Sequence, residues 1–289
     1  MRPANIVTAV SDILAGIAIA GYFSGARPGE LHLLPVVLLA LSTAGLYGGG
    51  VVFNDVFDAE LDKIERPERP IPGGLISKES AALLGTVLLL AGITAAYFVH
   101  HSFLPSTVLA IAIAAAALLY DKWGKHHSFL GPLNMGLCRG LNICLGVSIL
   151  PAALGTYWFI GVIPVVYIAA ITMISRGEVH GGSKAILKAA ALFYALVIGA
   201  ILFIAFRNGH GTLALLFLAL FGAMIFLPLR NAVRNPVGPK IGKAVKSGVL
   251  ALILMNAAWA AAFGTPPVAL MILLLLPLSL YLAKAFAVT

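Results

Sequence analysis

The chain has 289 residues, 61% of them hydrophobic and 10% charged, whereas soluble domains are roughly half apolar and a quarter charged. That composition excludes a water-soluble globular domain. The formal charge of +8 would suit nucleic acid, but the cations sit in short loops beside apolar runs. Lipid headgroups and phosphorylated substrates are the partners available there, which excludes a nucleic-acid-binding function.

Apolar runs are expected to form membrane helices at 4–24, 32–53, 79–99, 103–120, 132–150, 156–175, 184–206, 211–230, 245–263 and 266–286. Each is close to the ~20 residues that a helix needs to cross a hydrocarbon core about 30 Å thick. The expected fold is therefore all-α, a multi-pass transmembrane bundle of nine or ten helices, forming one domain over 1–289. With the N-terminus cytoplasmic, every Lys and Arg except Arg27 and Arg207 lies on or near the cytoplasmic side, as cationic loops resist translocation. The expected location is the cell membrane, with the functional loops in the cytoplasm. The first run shows no small-residue cleavage site and reads as retained. Cys138 and Cys144 fall on different faces of one helix and are not expected to pair.

The most informative stretch follows the second run. In Asn54-Asp55-Val56-Phe57-Asp58-Ala59-Glu60-Leu61-Asp62, the side chains of Asn54, Asp58 and Asp62 stack on one face if the helix continues, with Asp55 adjoining. Carboxylates so placed repel one another unless a cation sits among them. Magnesium suits oxygen ligands and commonly shares one or two carboxylates with substrate phosphates. Pro67, Pro70 and Pro72 then end the helix and hold Arg66 and Arg69 near the carboxylates, an arrangement suited to a diphosphate.

This motif, followed by Arg69-Pro70-Ile71-Pro72-Gly73, resembles the first aspartate-rich motif of the UbiA superfamily of intramembrane prenyltransferases, and Arg2-Pro3-Ala4-Asn5 resembles the family's start. The resemblance implies a helical bundle with a lipid-open central cavity, magnesium, an isoprenyl diphosphate donor and transfer of the prenyl group to an acceptor. It gives Asn54, Asp58 and Asp62 the metal and diphosphate roles, with Asp55 supporting. It also implies a tyrosine and basic residues at the diphosphate after the fourth helix, where Tyr120, Lys122 and Lys125 stand. A second aspartate-rich motif is expected after the sixth helix. The loop there reads Ser175-Arg176-Gly177-Glu178-Val179-His180-Gly181-Gly182, so Glu178 is the expected second metal ligand. His180 is expected to contact phosphate or accept a proton, with Arg176 beside them. This loop, together with the block around Arg139, looks most like the EboC branch of UbiA-like proteins.

Charged residues inside membrane helices usually face a cavity or a partner. Asp12 shares a stripe with Asn5 and Thr8, and Arg139 lies one turn before Asn142. Both are expected at the depth of the acidic motif, Arg139 as a bidentate diphosphate contact; the alternative is a structural Asp12–Arg139 pair. Tyr47, on the helical face that carries Asn54, is expected to set its ring above the reacting allylic carbon, where it would stabilise a cation.

The function expected is magnesium-dependent transfer of an isoprenyl group to a small or lipophilic acceptor. Two other readings stay open: a cyclase of the same superfamily, and a non-catalytic isoprenoid or lipid carrier.

Overall fold

The computed structural model describes residues 3–24, 32–127, 129–179 and 181–286. In chain order the helices are α1 Pro3–Ile19, α2 Leu33–Phe57, α3 Ala59–Glu65, α4 Lys78–His100, α5 Ser106–Lys122, α6 Leu130–Val147, α7 Pro151–Tyr157, α8 Val162–Ser175, α9 Lys184–Arg207, α10 Gly211–Arg234, α11 Gly238–Ala262, α12 Pro266–Leu273 and α13 Leu275–Ala285. Short 3-10 turns follow α5 and α7, and the described residues contain no strand. Backbone groups in hydrocarbon must be satisfied within their own segment, and helices do this.

Among the described residues, seven helical stretches are long and apolar enough to cross a membrane: α2, α4, the run Pro151–Ser175, α9, α10, α11 and the run Pro266–Ala285. The chain is a multi-pass membrane protein. The sequence-based count of nine or ten also includes α1, α5 and α6. Of these, α1 and α5 have only 17 residues each, and α6 devotes positions to Asn134, Arg139 and Asn142.

One helix forms the centre. In α11, Leu250–Ala262 is buried on every side, as expected of a helix that is apolar all round and enclosed by protein. Small Ala residues along it let α1, α8, α9, α10 and α12 approach. The tyrosines Tyr167 and Tyr194 and the ring of Phe221 fill the space beside it, and Tyr167 Oη donates to the Gly248 carbonyl at 2.8 Å. By contrast α4, α9 and α10 turn Leu83, Leu90, Leu196, Phe203 and Leu227 outward, the pattern of lipid-facing helices.

Burial of apolar surface drives little association within lipid, so close backbone approach through small residues carries the packing. Gly45 of α2 meets α4 so closely that a Cβ there would lie 2.7 Å from the Leu88 carbonyl oxygen, and one on Gly146 of α6 would lie 2.5 Å from that of Ile13 on α1. Ser77 caps α4, accepting from the Ser80 amide at 3.1 Å, and Ser183 caps α9 through the Ala185 amide at 3.2 Å.

Candidate active site

The acidic motif does not lie on one continuous helix. Helix α2 ends at Phe57 and α3 begins at Ala59, with Asp58 (φ −86°, ψ −1°) as the joint. The amides of Asp58, Asp62 and Arg66 nevertheless bond back to the carbonyls of Asn54, Asp58 and Asp62 at 3.0, 2.8 and 2.9 Å. The four-residue ladder thus survives through the motif although the helix is interrupted.

Each aspartate of the motif has a cationic partner outside its own helix. Arg69 donates to Asp62 Oδ2 at 2.7 Å and to Asp55 Oδ1 at 3.3 Å, because the turns through Pro67 and Pro70 fold it back over α3. Lys125, in the turn after α5, donates to Asp58 Oδ1, and Asn54 Nδ2 donates to Asp121 Oδ1 at 3.0 Å. The segments after α2 and α5 are therefore held together by charge. At the outer edge, Lys63 bonds Glu60 at 2.8 Å and holds its carboxyl below the ordinary range; Lys63 and Glu60 are exposed and outside the site.

A cavity of about 500 Å³ opens beside this segment. Its polar wall includes Asn54, Arg66, Tyr120, Asp121 and Glu178, and farther along Tyr47, Thr43, Arg139 and Asn142. The apolar wall comes from Leu46, Ile113, Ile168, Ile171, Val245 and Leu252. Such a space suits an amphiphile with a charged head near Arg66 and a hydrocarbon tail among the helices.

Several expected residues stand elsewhere. Lys122 is exposed, its Nζ 4.4 Å from the Trp123 ring centre, and is not brought to the acidic segment. Arg176 is also exposed and donates to the His127 carbonyl at 2.9 Å, so it ties two loops together rather than lining the cavity. Asp12 lies behind the wall at 1% exposure. It accepts from Arg139 at 2.7 Å, Asn142 at 3.0 Å and Asn256 at 2.7 Å. The Asp12–Arg139 pair was the alternative reading of these residues; the geometry adds that Arg139 still reaches the cavity. Tyr47 does line the cavity, but the Arg139 guanidinium lies 5.5 Å from its ring centre, so one face of the ring is already taken. His180 lies outside the described residues.

Sequence reasoning did not single out Asp121, which lines the cavity, or Asn256, which holds Asp12 behind its wall. An asparagine in the apolar run Leu254-Met255-Asn256-Ala257-Ala258 was the available signal, since a polar residue within a membrane helix needs a partner. Asp121 stood in plain view beside Tyr120 and Lys122, but nothing in the sequence tied it to Asn54.

Among the described residues no group of His, Cys, Asp or Glu converges as a metal site. The donors near the cavity mouth nonetheless fit magnesium in kind: Asn54, Asp58 and Asp62 supply oxygen only, and Lys125 and Arg69 stand against the two carboxylates. Those cations are themselves suited to the phosphate oxygens that accompany such an ion.

Comparison with known proteins agrees with this architecture. The UbiA prenyltransferase family model matches residues 14–246. A digeranylgeranylglyceryl phosphate synthase of Saccharolobus solfataricus is 30% identical over 175 residues, covering 60% of this chain and 58% of that protein; the chain spans about half the length of the curated relatives it matches. Among solved structures, a UbiA homologue of Aeropyrum pernix K1 superposes with a TM-score of 0.72 at 18% identity, covering 89% of this chain and 98% of that one. A UbiA homologue of Archaeoglobus fulgidus bound to DMAPP and Mg2+ gives 0.57 at 16% identity, with 87% and 99% covered.

Proposed function

Since the chain belongs to the UbiA prenyltransferase family, we propose that it is an enzyme that transfers the isoprenyl group of an isoprenyl diphosphate to a small or lipophilic acceptor, with magnesium as its cofactor. The observation that carries the reading is the pairing of Asp58 with Lys125 and Asp62 with Arg69 beside a cavity with one polar and one apolar wall. The naming of relatives as digeranylgeranylglyceryl phosphate synthases and the capture of DMAPP and Mg2+ by a protein of the same fold support it.

In this reading Asn54, Asp58 and Asp62 would hold magnesium, with Glu178 as the acidic contribution of the loop after α8; the ion supplies neutralisation of diphosphate charge. Lys125, Arg69 and Arg66 take the diphosphate oxygens. To do so, Lys125 gives up Asp58, and Arg69 gives up Asp55 and Asp62. As the bond between the allylic carbon and the diphosphate oxygen breaks, the electron pair leaves with the diphosphate, and these fixed cations meet the developing charge. Fixed donors stabilise such charge most in a water-poor site. The apolar wall of Ile113, Ile168, Ile171 and Leu252 houses the tail and keeps water from capturing the allylic cation. The free ring face of Tyr47 is available to that cation. The protein acts from the cytoplasmic side of the cell membrane, with its N-terminus on that side.

The test is diphosphate release by purified protein in lipid, offered a panel of isoprenyl diphosphates with membrane extract as acceptor source. Release that requires magnesium and falls at least about 100-fold in Asp58→Asn, a loss on the scale of removing a key electrostatic group, is expected. Tight donor binding without release, across every donor and extract, would replace this reading with that of an isoprenoid carrier. Release of a hydrocarbon with no acceptor consumed would point to a cyclase.

A further inference from the structure

The cavity meets two arginines in unlike settings. Arg66 is exposed at the mouth, beside the acidic segment, whereas Arg139 is 7% exposed on α6. Arg139 Nη1 donates to Asp12 Oδ2 at 2.7 Å and Nη2 to Thr8 Oγ1 at 2.7 Å. A guanidinium carries five N–H donors, so donors remain for a molecule in the cavity. The guanidinium carbon lies 5.5 Å from the centre of the Tyr47 ring.

The surroundings of Asp12 fix the aim of this arginine, and Asp12 offsets its charge. Asp12 Oδ1 accepts from Asn256 Nδ2 at 2.7 Å, and Oδ2 accepts from Asn142 Nδ2 at 3.0 Å as well as from Arg139. Asn256 also bonds Ser11 at 2.7 Å, and Asn142 accepts from Thr43 at 2.8 Å. The carboxylate is thus anchored from α6 and α11 at once and cannot swing away.

We propose that Arg139 binds the acceptor's reacting oxygen, and that Asp12 and Asn256 are positioning residues which keep it charge-compensated, so that it takes an uncharged hydroxyl in preference to a phosphorylated group. A phosphate brought to Arg139 would also face the Asp12 carboxylate behind it, and like charges in a poorly hydrated wall repel strongly. A hydroxyl meets no such opposition and accepts the unused N–H groups. Calling the ligand the acceptor rests on the prenyl-transfer reading; the selectivity for an uncharged oxygen does not.

The experiment measures affinities of dodecanol and dodecyl phosphate by native mass spectrometry on the full chain in nanodiscs, without magnesium or donor, so that it stands apart from any assay of diphosphate release. Asp12→Asn is close in shape but removes the countercharge. It is expected to raise the ratio of phosphate to alcohol affinity about tenfold or more over the parent, as an unopposed cation should. The double variant Asp12→Asn with Arg139→Met is expected to return the ratio to within about twofold of the parent, which subtracts any binding of the phosphate at the cavity mouth. Asn256→Ala, which loosens the clamp and keeps its charges, is expected to weaken dodecanol about fivefold. A ratio that stays within twofold in folded Asp12→Asn, or a rise that persists in the double variant, would overturn the proposal. If diphosphate release fails while the ratio shifts as expected, the prenyl-transfer reading falls and the selectivity stands.

Discussion

Lys122 and Lys125 stand within one turn of chain, yet only Lys125 reaches a carboxylate. Lys122 is exposed against the Trp123 ring, and an exposed cation of that kind contributes little. Lys125→Met is therefore expected to lower diphosphate release at least about tenfold, whereas Lys122→Met should stay within about twofold of the parent. Steady-state assays on the two variants side by side check this, and equal losses would refute the assignment. No sequence spacing separates these two lysines, since both fall in the turn where the family places cations. Lys122 ends α5, whereas Lys125 sits in the 3-10 turn at Gly124–His126, and the change of backbone between helix and turn aims the two side chains differently. For Arg139 and Asp12, improbable charges in apolar runs, the sequence left two readings open, cavity contacts or a mutual pair, and the fold makes the pair while Arg139 still reaches the cavity.

Among the elements, the joint at Asp58 governs how α2 hands the chain to α3. The ladder of bonds through Asn54, Asp58 and Asp62 keeps their spacing, and the interruption lets α3 turn Asp62 inward until it is nearly buried. Helix approach matters as much. Gly16 lies one turn beyond Asp12, and a Cβ on it would collide with the Ile143 carbonyl of α6. Gly16→Ala is expected to force α1 and α6 apart and cost about 1–3 kcal/mol, the usual scale of overpacking, lowering the detergent Tm and loosening the Arg139 clamp with it. Gly199→Ala on α9 is the control, because a Cβ there meets nothing within 4 Å; its Tm should hold or rise slightly. A Gly16→Ala protein as stable as the parent would contradict the packing described. The glycines at these crossings were visible in the sequence only as part of a high glycine content, since a close backbone approach has no signature until the partner helix is known.

For the whole molecule, the charge asymmetry and the bundle lead to a topology that labelling can read. In a cysteine-free background, Lys63→Cys is expected to react with an impermeant maleimide only from the cytoplasmic side, and Asn208→Cys, at the end of α9, only from the opposite side. Both reacting from one side would invert the topology or change the helix count. Chelation separates fold from chemistry at the same scale. Removal of magnesium is expected to abolish diphosphate release while leaving the far-UV helical signal and Tm in lipid nearly unchanged, because the helices α1–α13 are held by packing and by the Asp12 and Asp62 ion pairs rather than by the ion. Unfolding on chelation would make the metal structural.

Hydropathy alone determined that this chain is a membrane-embedded helical protein, because a bilayer demands long apolar segments whose register is written locally. The acidic motif and its Arg-Pro flank were legible for the same reason: residues spaced by whole turns, and prolines that end a helix, act within a few residues of one another. Which cation meets which carboxylate was decided only by the fold, as was the cavity formed between α2, α5, α6, α8 and α11. Asp58 with Lys125, and Asp12 with Arg139 and Asn256, require segments remote in sequence to be brought to contact distance, whereas Arg69 reaches Asp62 across seven residues through the proline turns. Between helices, close approach at glycine and alanine positions sets those distances.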